Sequence, residues 1–282
     1  MSGAAFAGHE LAREVEMAQR LAKEAGALVM QYHGGKLTVE NKAGNEPVTI
    51  ADREASDLIV GGLREAFPDD VIISEENADD LRRLTARRVW YIDPIDGTKD
   101  FIRGEDGFCL MIGLCIGGRP RVGVIVQPLH ERVFSAAPGG GAWIEAPDQA
   151  ARQVTVSDVA ELTNARLVAS KSHRDTTIDQ VKSALGISNE LNIGSIGLKL
   201  GVIAVGERDL YVNPSPRCSL WDTAGPEALL HEAGGRLSDI EGIPLRYDSE
   251  VIAHRRGLLA SNGLVHDAAV QRLAPLFAGK LP

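Results

Sequence analysis

The segment Asp93-Pro94-Ile95-Asp96-Gly97-Thr98 sets two carboxylates three positions apart, directly after the apolar run Trp90-Tyr91-Ile92. Pro94 fixes the backbone, and Gly97 permits a close approach or an unusual torsion. The sequence predicts a tight turn here. It would present the Asp93 and Asp96 carboxylates, the Ile95 carbonyl and the amides of Gly97 and Thr98. Hard divalent cations take oxygen ligands, and phosphate takes N–H donors. One short loop offers both. Asp, Pro and Gly also favour ordinary surface turns, so the segment alone leaves that simpler reading open.

Three further acids stand where apolar elements end. Ser74-Glu75-Glu76 follows Val71-Ile72-Ile73. Adjacent acids on an extended chain point to opposite sides, so at most one faces a given site; Glu75 is the candidate ligand. Asp222, in Leu220-Trp221-Asp222-Thr223, opens a helical pattern and could equally cap it. Asp52 lies in the polar entry to another helix, where a dipole or capping role is the alternative. Taken together, these acids form an oxygen-only set. It suits magnesium, manganese or calcium rather than zinc. Carboxylate sites holding several metals suit phosphoryl transfer. Other phosphate and hydrolase signatures are missing: there is no GxxxxGK[ST], no ordered GxGxxG after a strand and no GxSxG elbow. The three-residue spacing of Asp93 and Asp96 also argues against an EF-hand.

The elements that must hold these residues can be read from periodicity. Helical spacing runs from Glu10 to Tyr32 and ends at Gly34-Gly35. A short strand is expected at Leu37–Glu40, then a polar loop from Lys42 to Pro47. A second helix spans Thr49–Ala66, capped by Thr49. Strand-like runs at 71–73, 89–92, 108–116, 121–126, 132–136 and 141–145 alternate with Gly/Pro turns, which predicts a partly antiparallel meander. Beyond residue 150, strands at 166–170, 210–212 and 257–260 alternate with helices at 177–185, 196–205 and 222–233, and a last helix starts at Val265. Pro226 would then fall in the first turn of its helix, where proline is at home. The pattern is α/β, mixed α+β, in sheet-containing layers packed with helices. Residues 1–150 read as an N-terminal α+β subdomain carrying the metal loops. Residues 151–282 read as a C-terminal α/β subdomain supplying Asp222 and substrate contacts, fused to the first as one catalytic unit.

Composition narrows the partners. The chain has 282 residues, of which 44% are hydrophobic and 24% charged, with a net charge of −9. Those values fit a folded globular enzyme. The negative charge disfavours nucleic-acid polymers and anionic membranes. An anionic small molecule would need a local positive centre, which a bound metal supplies. Cys109, Cys115 and Cys218 are an odd number without a CxxC pair, so they read as small buried hydrophobes rather than disulfide or zinc ligands. Met1–Glu10 lacks a signal-peptide pattern, and the longest apolar stretch, Phe108–Ile116, is too short to span a bilayer. A cytoplasmic protein without membrane insertion is expected.

Four separated segments carry a family resemblance: Pro47-Val48-Thr49-Ile50-Ala51-Asp52, Ile73-Ser74-Glu75-Glu76, Asp93-Pro94-Ile95-Asp96-Gly97-Thr98 and Trp221-Asp222-Thr223-Ala224. In this order they resemble the lithium-sensitive, magnesium-dependent phosphatases of the inositol monophosphatase superfamily. The resemblance implies a layered αβαβα sandwich and two or three Mg²⁺ ions, with Mn²⁺ able to replace them. Glu75, Asp93, Asp96, Asp222 and the Ile95 carbonyl would bind the metals. Asp52 and Thr98 would orient and deprotonate the attacking water, and the Gly97 and Thr98 amides would hold the phosphate. Family members are often monomers or homodimers.

Within the superfamily the chain is most similar to 3′(2′),5′-bisphosphate nucleotidases of the CysQ type. Thr98-Lys99-Asp100-Phe101, Ser170-Lys171-Ser172-His173 and Gly194-Ser195-Ile196-Gly197-Leu198-Lys199 carry that similarity. It implies Lys99, His173, Ser195 and Lys199 as substrate contacts, and hydrolysis of the 3′-phosphate of adenosine 3′,5′-bisphosphate. The alternative is an inositol monophosphatase or a broad sugar-phosphate phosphatase. Lys171 stands where the nucleotidases have Arg, and Gly197 is an added point of flexibility. Both departures bear on substrate identity rather than on the metal ligands.

Overall fold

The computed structural model describes residues 5–35, 39–41, 47–79, 81–171 and 176–281. Side-chain alternation along the strands dictates its layers. In the strand Arg88–Asp96, Trp90 and Ile92 enter one core while Val89 and Tyr91 enter another. The neighbouring strand Cys109–Ile116 repeats this, with Leu110, Ile112 and Leu114 on one face and Cys109, Met111 and Cys115 on the other. A period of two with both faces apolar requires cover on both sides.

The cover comes from helices. On the first face lie α1 (Ala12–Met30) and α2 (Ile50–Ala66), burying Val15, Leu21, Val29, Ile59 and Leu63. This sheet has seven strands in the order Val71–Ser74, Arg88–Asp96, Cys109–Ile116, Arg119–Gln127, Arg132–Ala137, Gly141–Glu145 and Arg152–Val154. Its first pair is parallel and the rest are antiparallel. A short helix, α3 (Thr98–Ile102), follows the second strand. On the sheet's other face lie α5 (Ile196–Ala204) and α6 (Leu220–Glu232), which share a core with one face of a second sheet. That sheet has five strands, in the order Glu190–Ile193, Leu167–Ser170, Leu210–Asn213, Leu258–Ser261 and Arg236–Ser238. Its outer face is covered by α4 (Thr176–Leu185) and α7 (His266–Phe277), with Val181, Leu185, Leu273 and Phe277 buried there. The result is the expected αβαβα sandwich. Among the described residues no helix is long and apolar enough to cross a membrane.

Several boundaries differ from the sequence reading. The expected turn at Asp93–Asp96 is instead the bulged end of the strand, with Asp96 still paired to Cys109. The chain reverses only at Gly97, whose φ of +95° favours glycine. Helix α6 begins at Leu220 rather than Asp222, so Pro226 lies beyond the first turn and cannot donate to the Asp222 carbonyl. Of the expected strand at 37–40, residues 37 and 38 lie outside the described residues and a strand is observed at Val39–Asn41; most of the expected 42–47 loop also lies outside them.

Helix α6 reaches the sheet through glycine. A Cβ on Gly113 would stand 2.4 Å from the Gly225 nitrogen, and one on Gly123 would stand 2.1 Å from the Gly225 oxygen. Only hydrogen fits there, so the helix backbone rests directly on the strands. This contact fixes the depth at which α6 presents Asp222.

Two buried histidines make stability depend on pH. His266 Nδ1 and Nε2 lie 2.9 Å from the hydroxyls of Ser261 and Ser238, and His254 Nε2 lies 2.8 Å from Thr223 Oγ1. The Ser238 hydroxyl donates to the Asp239 carbonyl. It therefore accepts from His266 Nε2–H, leaving Nδ1 to accept from Ser261, and one proton on the ring satisfies both bonds. Burial holds both imidazoles down at about 4. The unfolded chain takes up protons near pH 6.5, so it binds more protons than the native state between those values. Stability from these groups is therefore present above about pH 6.5 and is lost as pH falls to about 4, on the order of 1–3 kcal/mol each. Glu227, raised to about 7 by burial, contributes with the opposite sign and loses its stabilisation as pH rises through that value. The histidine share is thus read as a difference. The melting temperature of His266→Gln should fall less than that of the wild type between pH 7 and pH 4; parallel curves would refute the assignment.

Candidate active site

Strand register brings the first two acids together. Val71–Ser74 runs parallel to Arg88–Asp96 with Ser74 opposite Ile92, so Glu75 and Asp93 leave their strands side by side. The Glu75 N–H donates to the Ile92 carbonyl at 3.1 Å and holds that alignment. Asp93 is 2% exposed, and its Oδ1 accepts from the Ile95 amide at 3.0 Å. Asp96 Oδ2 accepts from the Ser195 hydroxyl at 2.6 Å and the Gly197 amide at 2.8 Å, which ties the first sheet to the start of α5. Asp222 is the third residue of α6, and its Oδ2 accepts from the capping Ser219 amide at 2.6 Å. It therefore caps its own helix and also faces the cleft.

Glu75, Asp93, Asp96 and Asp222 line one cleft of about 1150 Å³, together with Gly97, Thr98 and Lys99. They come from two strand ends and a helix start, widely separated in the chain. Burial pushes the Asp93 carboxyl well above the usual carboxylate range, and the charges of Glu75, Asp96, Asp222 and Asp52 push it further. Burial also raises Asp222, reinforced by Asp96 and Glu75. Asp96 is raised by burial, with Lys199, Ser195 and the Gly197 and Ile196 amides opposing. Among the described residues, no three histidine, cysteine, aspartate or glutamate side chains converge on one point. The acids share a wall rather than a finished coordination sphere. Their chemistry nonetheless fits a hard divalent cation. All are oxygen donors, and buried carboxylates that disfavour one another's ionisation gain from a shared positive charge.

Beside the acids, Gly97 opens α3 with a left-handed torsion. A Cβ there would meet the Gly107 carbonyl oxygen at 2.5 Å, so both torsion and space demand glycine. The Thr98 hydroxyl donates to the Ile95 carbonyl at 3.0 Å. Asp52 is 2% exposed, and its Oδ2 accepts from the Thr49 amide at 2.8 Å and the Thr49 hydroxyl at 2.6 Å. Its charge acts on Asp93, but it does not form part of the cleft wall.

The expected substrate contacts behave differently from one another. Lys99 is half-buried in the cleft wall. Ser195 is fully buried, caps α5 by accepting from the Leu198 amide at 3.1 Å, and spends its proton on Asp96. Lys199 lines the cleft but is only 1% exposed. Its ammonium donates to the Gly194 carbonyl at 2.5 Å and lies 5.3 Å from the centre of the Tyr211 ring. His173 lies outside the described residues. Two cleft residues had no role assigned from the sequence. Asp100 is 1% exposed, and neither of its carboxylate oxygens takes a hydrogen bond from the described residues; Arg103 comes no closer than 3.9 Å. Arg217 stands exposed at the end of a proline-rich loop. No spacing marked Arg217, which folding alone brings to the cleft; Asp100 lies beside Lys99 in the Thr98–Phe101 segment.

Comparison with known proteins places these features in context. Residues 10–277 match the model of the inositol monophosphatase family. The 3′(2′),5′-bisphosphate nucleotidase CysQ of Shigella flexneri is 36% identical over 234 residues, covering 81% of this chain and 91% of that protein. The inositol-1-monophosphatase of Bacillus subtilis is 32% identical over 255 residues, covering 89% and 92%. Among solved structures, the Thermotoga maritima IMPase aligns with a TM-score of 0.81 at 27% identity, covering 95% of this chain and 99% of that one.

Proposed function

Because the chain belongs to the inositol monophosphatase family, a family of metal-dependent phosphatases, we propose that it is a magnesium-dependent phosphomonoesterase acting on the 3′-phosphate of adenosine 3′,5′-bisphosphate. One observation carries the catalytic half of this reading. Four acids from distant parts of the chain share a cleft with the Gly97–Thr98 start of α3.

In this reading Glu75, Asp93, Asp96, Asp222 and the Ile95 carbonyl would hold two or three Mg²⁺ ions, with Mn²⁺ able to replace them. Bound there, the cations would lower the pKa of a water and offset charge on the phosphate. The remaining work falls to protein groups. The Gly97 and Thr98 amides grip the phosphate oxygens, helped by the left-handed torsion that turns the chain at Gly97. Thr98 and Asp52 orient the attacking water and receive its proton. Its oxygen bonds to phosphorus, the bond to the ribose 3′ oxygen breaks, and that oxygen takes up a proton from solvent water to leave as the 3′-hydroxyl of AMP. Ser195 and Lys199 act behind Asp96, one by hydrogen bond and the other by charge. Residues 1–150 and 151–282 act as fused subdomains of one catalytic unit.

The nucleotide half rests on Thr98-Lys99-Asp100-Phe101 and on the 36% identity to the Shigella nucleotidase. An inositol phosphate is the second reading, favoured by the 32% identity to the Bacillus enzyme. Phosphate release from the bisphosphate and from myo-inositol 1-phosphate, measured side by side with Mg²⁺, separates them. The proposal expects the nucleotide to win by about a hundredfold in kcat/KM, which is about 2.7 kcal/mol of transition-state discrimination. Equal rates, or a preference for the inositol phosphate, would overturn the nucleotide assignment and leave the phosphatase reading intact.

A further inference from the structure

Among the described residues, three cations line the cleft: Lys99, Lys199 and Arg217. Their situations differ. Lys199 is buried and engaged with the Gly194 carbonyl and the Tyr211 ring. Lys99 is half-buried beside Thr98, at the reacting end of the cleft. Arg217 is exposed and makes no hydrogen bond or ion pair with the described residues. In a chain with net charge −9, a guanidinium that lines an acidic cleft without an acidic partner among the described residues stands out.

Arg217 is also positioned. Its loop, residues 214–217, joins the strand Leu210–Asn213 to the strand Cys218–Ser219, and the latter runs straight into α6. Pro214 and Pro216 restrict the loop backbone. The Ser215 amide donates to Asn213 Oδ1 at 3.1 Å, and Cys218–Ser219 pairs with Ala253–His254. The guanidinium is therefore attached through five residues of anchored backbone to Asp222, on the reacting side. A planar fork suits bidentate contact with a phosphate. The cleft floor is acidic, so an anionic group that is not being hydrolysed gains by lying at the rim rather than on the floor.

We infer that Arg217 binds the second, unreacted phosphate of a bisphosphorylated substrate and so selects bisphosphates over monophosphates. This rests on the nucleotide reading above. The contact exists in ground state and transition state alike, so its loss should appear in KM rather than kcat.

The test compares adenosine 3′,5′-bisphosphate with adenosine 3′-monophosphate, which share the reacting phosphate and differ in the distal one. Wild type, Arg217→Ala and Arg217→Lys are each assayed with Mg²⁺ after thermal melts show that they are folded. Arg217→Ala should lose about thirtyfold in kcat/KM for the bisphosphate, mostly as raised KM, and change less than twofold for the monophosphate. Arg217→Lys should keep part of the preference through its charge alone. If Arg217→Ala retains the full preference, the inference is wrong and the nucleotide reading stands. Equal losses on both substrates would also overturn it, since the residue would then serve the reacting phosphate or the fold. A wild type with no preference for the bisphosphate also overturns the inference, while the nucleotide reading is decided separately by the comparison with myo-inositol 1-phosphate.

Discussion

Asp93→Asn should lower phosphomonoester hydrolysis at least a thousandfold, about 4 kcal/mol in transition-state terms. The substitution is nearly isosteric. The Asn side-chain oxygen can still accept from the Ile95 amide, as Asp93 Oδ1 does at 3.0 Å, so local geometry should survive. What disappears is one negative charge from the centre of the acidic cluster, where Glu75, Asp96, Asp222 and Asp52 all act on it. This gives a second readout of opposite sign. Without metal, removing a buried charge among like charges should raise the melting temperature. With Mg²⁺, the wild type should be stabilised by linkage while the variant gains little. A variant that is active, or that is stabilised by Mg²⁺ as the wild type is, would place the metal elsewhere. A merely structural Asp93 would give lower stability under both conditions.

Asp52→Asn should behave differently, although it too removes a buried acid. Its carboxylate closes the capping box of α2, and an Asn oxygen can keep part of that bonding. The capping loss should stay near 1 kcal/mol. As the group that receives the water's proton, however, Asp52 should account for about a hundredfold or more of kcat. The expected pattern is a large fall in kcat, a KM within a few fold of wild type, and Mg²⁺ stabilisation retained. Activity within about fivefold of wild type would show that Asp52 serves the helix cap alone. The structure makes this a pointed comparison, because Asp52 lies behind the cleft wall and the Thr98 hydroxyl is held by the Ile95 carbonyl.

Much of this was legible from local pattern. Helix α2 starts where Thr49 and Asp52 predicted, because the capping box is written within four residues. The apolar runs before Glu75 and Asp93 became strands, and both carboxylates face the cleft because those strands pair in parallel register. The meander from Cys109 to Glu145 followed from its turn residues.

The misses share a cause: each depends on contacts between distant segments. The continued strand at Asp93–Asp96 looked like a turn because Pro94 and Gly97 are turn residues; pairing of Asp96 with Cys109 overrode that preference. The earlier start of α6 depends on Ser219, which takes the cap position while Asp222 completes the capping box from the third position. Nothing local says that Lys199 would be buried against Tyr211, or that Gly225 would lie against Gly113 and Gly123. Nor does any motif distinguish Arg217 from other surface arginines; only the cleft does.

The central claim, a metal-dependent phosphatase centred on this cleft, is tested most directly by metal add-back. Protein stripped with EDTA would be titrated with Mg²⁺ while phosphate release from adenosine 3′,5′-bisphosphate is followed, with Asp93→Asn in parallel. The account predicts no release from stripped wild type, saturable recovery with Mg²⁺, and a variant that stays inactive throughout. Release that is indifferent to metal, or a variant that recovers as the wild type does, would contradict it.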